Sequence, residues 1–133
     1  MQLIGNDTLK SMERIGREIH PLSIPSDAQV PQRHPDAPKP GDTIDSHYRN
    51  CFGCGIDHPT GLHIKIEAGD GMTTRAVFEV TQHHQGAPGI AHGGILSLAF
   101  DESLGTTNWL IRASAVTAHL EVSYRLPVPV GTQ

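Results

Sequence analysis

The stretch from Gly94 to about Ile111 constrains this chain more than any other. Ile95, Leu96, Leu98, Ala99, Phe100 and Leu104 recur at helical spacing and cover most of the circumference. A helix that is apolar nearly all round is buried rather than laid on a surface, so other elements must wrap it. Asp101 and Glu102 interrupt the apolar run. A buried carboxylate is expensive unless it is paired or hydrogen-bonded. Either the helix presents these two residues at an edge, or they have a chemical task.

The candidates for wrapping the helix are three alternating stretches. From Gly61 to Ala68, Leu62, Ile64 and Ile66 share one face while His63, Lys65 and Glu67 share the other, the pattern of a half-buried strand. Gly69-Asp70-Gly71 forms a turn, and Thr73 to Thr81 alternates again with Thr74, Ala76, Phe78 and Val80 on one side. The two stretches make a hairpin. Ser114 to Leu126 predicts a third strand, with Val116, Ala118, Leu120, Val122, Tyr124 and Leu126 opposite Thr117, His119, Glu121, Ser123 and Arg125. Pro127-Val128-Pro129-Val130-Gly131 then ends regular pairing. The order strand, strand, helix, strand gives an α+β class, with no internal repeat.

The segments before Gly61 differ in character. Leu9, Met12, Ile15 and Ile19 predict a short helix within residues 1–20, capped by Asn6 or Asp7, stopped by Pro21 and packed as an appendage. Six of the ten prolines lie between Pro21 and Pro40, so residues 21–46 read as an extended linker. The folded domain is then 47–133. A length of 133 residues fits one domain. A formal net charge of −4 argues against a general nucleic-acid binder or a polybasic membrane binder. No apolar run approaches the roughly 18–20 residues of a membrane span. The N-terminus lacks the basic-then-apolar order of a signal peptide, which makes the cytoplasm the default location.

Chemistry concentrates in Gln85-Gly86-Ala87-Pro88-Gly89-Ile90-Ala91-His92-Gly93-Gly94, a glycine-rich loop running straight into the apolar helix. Free N–H groups and the positive end of the helix dipole favour an oxyanion or a polarised carbonyl there. The loop is neither a phosphate-binding loop nor a dinucleotide fingerprint, and a simple turn before a helix has the same composition. Asp101 lies nine residues after His92, roughly 13 Å along the axis and about 900° around it, on the opposite face. One subunit cannot easily bring both to a small reacting group, whereas two subunits with antiparallel helices can. An edge salt bridge is the plainer role for Asp101.

Cys51 and Cys54 form a CxxC, too few residues for a disulfide scaffold. Zinc normally takes four ligands, and on paper His58 or His63 completes a set. A second CxxC is absent and no thioredoxin-like helix follows, so the pair reads as small side chains packing a turn, with no metal. His83-His84 is given no role, and Trp109 and Tyr124 read as core or rim.

Taken in succession, Cys51-Phe52-Gly53-Cys54-Gly55, His58-Pro59-Thr60-Gly61-Leu62, the Gln85–Gly94 loop, Asp101-Glu102-Ser103-Leu104-Gly105 and Thr117–Arg125 with Pro127 and Pro129 resemble the hotdog-fold acyl-CoA thioesterases. The likeness is to the phenylacetate-degradation-type branch in particular, and to its human thioesterase-superfamily members. It runs from about Cys51 to Gly131. It implies a long buried helix wrapped by an antiparallel sheet, paired into homodimers or homotetramers with active sites between subunits and no cofactor. The C-terminal strands of that fold are then missing from this chain, and Gln133 is not the natural end of the folded unit. By position, Gly93 and Gly94 hold the thioester carbonyl, with His92 shaping the loop. Asp101 from the neighbouring subunit acts as general base or as nucleophile, and Thr117 places the water. Gln85, Gly86, Pro88 and Gly89 line the acyl-CoA substrate. Some relatives carry Asn where Gln85-Gly86 stands here. Strict alternation puts Thr117 on the polar face, so it reaches the site where that face borders an interface or the strand bulges. Two other activities stay open. One is a hotdog hydratase or dehydratase using His84 and Glu102. The other is a non-enzymatic acyl-CoA-binding or scaffold module, with Lys65, Arg75, Arg112 and Arg125 supplying local positive charge.

Overall fold

The alternating apolar row that begins at Leu62 organises the core. The computed structural model describes residues 26–133; the helix expected within residues 1–20, and residues 21–25, lie outside them. Strand β1 (Lys65–Ala68) pairs antiparallel with β2 (Thr74–Val77), with Lys65 opposite Val77 and Ala68 opposite Thr74. The expected hairpin is therefore present, with strands shorter than the alternating stretches. Its turn is closed by the Gly69 N–H donating to the Thr73 carbonyl at 2.8 Å and the Thr73 hydroxyl donating to the Asp70 carbonyl at 2.7 Å. Leu62, Ile64, Ile66 and Ala68 are all buried and join Ile44, Ala99 and Leu110 in one cluster.

The described part of the Pro-rich segment turns at 35–37 and at 40–41 and is docked on the hairpin. Gly41 N–H donates to the Ala68 carbonyl, Ala68 N–H to Asp42, and Ile44 N–H to Ile66, so residues 41–44 run along the second edge of β1. The Arg33 guanidinium donates to the carbonyls of Gly69 at 2.8 Å and Gly71 at 2.6 Å, and to that of Pro38. It fastens the segment over the hairpin turn.

A second small hairpin, β3 (Gln85–Ala87) with β4 (Ile90–Ala91), leads into α1 (Gly93–Gly105). The helix stops earlier than its apolar pattern suggests. Gly105 is a poor helix former, and the hydroxyls of Thr106 and Thr107 turn back onto the carbonyls of Glu102 and Leu104, both at 2.6 Å. The chain tightens into a 3-10 turn, Thr106–Leu110, which carries Leu110 into the core at 0% exposure.

Two expectations are corrected here. First, α1 is not buried by a wrapping sheet. Only Ala99 of its residues is buried, while Phe100 and Leu104 are 53% and 59% exposed. The described strands form two separate two-stranded sheets, and neither is wide enough to curl round a helix. Second, Ser114–Leu126 is not a strand. Alternation marks a chain able to form a strand, but a strand needs a pairing partner, and among the described residues this segment forms no ladder or bridge with any other. It is irregular and crosses the open side of α1 instead, with Val116 94% exposed. Beyond it, Pro127–Thr132 runs back along the glycine loop, where Val128 accepts from Ala91 N–H and Thr132 accepts from Val80 N–H. No helix among the described residues is long and apolar enough to cross a membrane.

The core assignment predicts a sharp contrast. Leu110→Ala should destabilise the protein by about 2–5 kcal/mol, whereas Val116→Ala should change stability by less than about 0.5 kcal/mol. Urea unfolding followed by circular dichroism measures both. Equal shifts would overturn the placement of the core.

Candidate functional site

The glycine loop is held by its own side chains. Gln85 donates through Nε2 to the Gln82 carbonyl at 2.9 Å and to Gln82 Oε1 at 2.7 Å, and its Oε1 accepts from Gly89 N–H at 2.5 Å. Gly86 packs so closely on His92 that any Cβ there would come within 2.8 Å of the His92 Cα. His92 N–H donates to the His84 carbonyl at 2.7 Å. Gln85 therefore acts as the clasp of the loop, and Gly86, Pro88 and Gly89 form its exposed outer turn.

His92 is the N-cap of α1. Its Nδ1 accepts from Gly94 N–H at 2.8 Å, and its carbonyl accepts from Ile95 at 3.0 Å. One of the two N–H groups expected to face a ligand is thus already engaged, and it becomes available only when the His92 ring rotates away. Gly93 sits beneath Tyr124, whose hydroxyl donates to the Gly93 carbonyl at 2.8 Å and bonds Ser97. Tyr124 thus borders the helix start, a contact hidden in the sequence because it spans 31 positions.

Asp101 lies at the other end of the helix. The 3-10 turn after Gly105 and the loop through Thr117 border an open cleft of about 750 Å³, lined by His47, Asp101, Glu102, Trp109, Arg112 and Thr117. The Thr117 hydroxyl donates to Asp101 Oδ1 at 2.5 Å. The two residues meet within one chain. The contact forms because the segment is irregular, so the strand's polar face sets no limit on where Thr117 points. His92, Gly93 and Gly94 do not border this cleft. With α1 continuous from Gly93 to Gly105, about 12 Å of helix rise separates Gly93 from Asp101. The structure thus joins Asp101 with Thr117, and His92 with Gly93 and Gly94, as two separate groups.

A third group was missed. The Sγ atoms of Cys51 and Cys54 and a Glu102 carboxylate oxygen all lie within 4.8 Å of one another. The Cys51 thiol donates to Glu102 Oε2 at 3.3 Å, and the Cys54 thiol donates to Ser46 Oγ at 3.2 Å. Burial, reinforced by the Glu102 carboxylate, pushes the Cys54 thiol up to about 12. The two histidines weighed as partners lie elsewhere: His63 Nδ1 bonds the Gly55 carbonyl, and His58 meets Phe52 edge-on. The CxxC is visible in the sequence, but Glu102 is 51 positions from Cys51 and only the fold brings it there.

His84 is buried and structural. Its Nδ1 accepts from Thr81 N–H at 3.0 Å, and it borders a different cavity of about 470 Å³, so it does not meet Glu102. Burial, then the neighbouring His83, holds its imidazole below the usual histidine range.

Among curated proteins, acyl-coenzyme A thioesterase THEM4 of Mus musculus is 35% identical over 57 residues, covering 43% of this chain and 24% of that protein. Acyl-coenzyme A thioesterase THEM5 of Mus musculus is 34% identical over 56 residues, covering 42% of this chain and 23% of that protein. The chain spans about a quarter of the length of the curated relatives it matches. No protein-family model and no solved structure matches it.

His84 predicts a pH dependence. Its folded-state pKa is lowered, so near and below the ordinary histidine value of about 6.5 the unfolded chain binds more protons. Stability should fall as pH drops through that range, because protonating Nδ1 also breaks the bond from Thr81. His84→Asn should flatten this slope in thermal melts taken across it, and an unchanged slope would rule His84 out as its source.

Proposed function

We propose that this chain takes part in hydrolysis of an acyl-CoA thioester to a free acid and CoA, on a hotdog-type fold assembled from at least two subunits. The similarity to two acyl-CoA thioesterases supports the reaction class. The observation that carries the reading is the Thr117–Asp101 hydrogen bond on the wall of a cleft large enough for a thioester group.

The chemistry follows from that pair. With its proton committed to Asp101 Oδ1, the Thr117 oxygen accepts a hydrogen bond from water, while the other Asp101 oxygen takes the proton as the water attacks the carbonyl. Electrons move to the carbonyl oxygen, and the tetrahedral intermediate then expels the CoA thiolate. In direct attack, an Asp101 oxygen adds to the carbonyl, the C–S bond breaks to release the CoA thiolate, and water then opens the resulting acyl anhydride to the free acid and regenerated Asp101. The developing oxyanion needs donors, and the Gly93–Gly94 helix start supplies them with a favourable dipole. Because about 12 Å of continuous helix separates the two groups, the oxyanion donors and Asp101 of one site come from different subunits. His92 gates one donor by holding Gly94 N–H.

The same separation favours a second reading, an acyl-CoA-binding module without turnover. Tight binding of an acyl-CoA by the intact protein with no thiol release would select it. For hydrolysis, Asp101→Asn should lower kcat by about 10²–10⁴-fold with the melting temperature kept. Unchanged turnover would sink the assignment.

The intersubunit arrangement has its own test. Gly93→Pro removes one N–H at a position where proline fits a helix start, and it should be inactive alone. Co-expressing it with Asp101→Asn should restore activity in mixed oligomers, since one site then keeps both wild-type halves. No recovery in verified mixed oligomers would place both groups in one subunit.

A further inference from the structure

We infer that Cys51, Cys54 and Glu102 form a binding site for one zinc ion. The three donor atoms converge from two distant parts of the chain, the turn at 51–54 and the C-terminal part of α1. Tetrahedral zinc with Zn–S near 2.3 Å and Zn–O near 2.0 Å holds its ligand atoms about 3.5–3.8 Å apart. The Cys51 Sγ to Glu102 Oε2 distance is already 3.3 Å. With all three atoms within 4.8 Å, closing the set takes shifts of about 1 Å, within reach of side-chain rotation alone.

The surroundings point the same way. Among the described residues, no Lys, Arg or His forms an ion pair with Glu102. Among the described residues, this half-buried carboxylate thus faces two sulfur atoms with no cation paired to it. The turn is built around that carboxylate. A Cβ on Gly53 would come within 2.5 Å of Glu102 Oε2 and 2.8 Å of its Cγ, so only glycine lets the acid descend to the level of the thiols. Two thiolates and one carboxylate suit a borderline-soft ion such as zinc and do not suit magnesium or calcium, which take oxygen ligands. On binding, each thiol releases its proton to the buffer and Glu102 coordinates as the carboxylate. A fourth position remains for water or for His47, which borders the same cleft as Glu102.

The test needs no catalytic assay and is independent of the thioesterase reading. Reduced full-length protein, stripped by a chelator, is titrated with zinc sulfate and separately with cobalt chloride. One ion should bind per chain, with two protons released. The cobalt form should show a thiolate-to-metal charge-transfer band in the near ultraviolet. Cys54→Ser and Glu102→Gln should each weaken zinc binding by on the order of 10–100-fold, the range seen when even a partner of a metal ligand is lost. A folded, reduced wild-type chain that takes up less than one zinc, or whose cobalt complex lacks the thiolate band, would overturn the inference. Reading the wild-type spectrum first keeps that outcome decisive should a variant misfold.

Discussion

Everything in this structure depends on β1 being hydrogen-bonded along both edges. On one side it pairs with β2, and on the other it takes residues 41–44 of the Pro-rich segment. A lone hairpin is marginal in water, and three hydrogen-bonded segments with one apolar face are far more secure. That third segment also blocks an edge that would otherwise invite pairing with another chain. The face so formed, Leu62 through Ala68, is where α1 docks through Ala99 and the following turn through Leu110. The placement of Asp101, Glu102 and the glycine loop all derives from that docking.

The parts legible in the sequence were those set by neighbours a few residues away. Leu62, Ile64 and Ile66 alternate within one short stretch, and each is buried as the pattern requires. The turn at Gly69–Gly71 and the entry of the glycine loop into a helix are local in the same sense. Ser114–Leu126 alternates just as clearly and is still not a strand, because a strand is completed by another strand and not by its own pattern. The helix ends short of its apolar pattern for a related reason: apolar spacing carries no sign of hydroxyls that bond back to carbonyls and tighten the final turn.

The candidate site divides along the same line. Gly93, Gly94 and Asp101 are candidates from helix geometry and from a motif succession, and their separation along one continuous helix follows from rise per residue alone. The engagement of Gly94 N–H by His92 turned on a side-chain rotamer. The meeting of Tyr124 with Gly93, and of Glu102 with the two cysteines, depended on contacts 31 and 51 positions apart. Such contacts have no local trace. Gln85 shows the converse. Its three hydrogen bonds account for it as a loop clasp.

Asp101 and Glu102 are adjacent on α1 yet serve different surroundings, Thr117 for one and the cysteine turn for the other. Successive residues on a helix are offset by about 100° of azimuth. Anchoring Glu102 against Gly53 and the thiols therefore helps set the angle at which Asp101 leaves the helix. The cysteine turn is thus one of the contacts, with the core packing of Ile95, Leu98 and Ala99, that set the direction in which the Asp101 carboxylate leaves the helix.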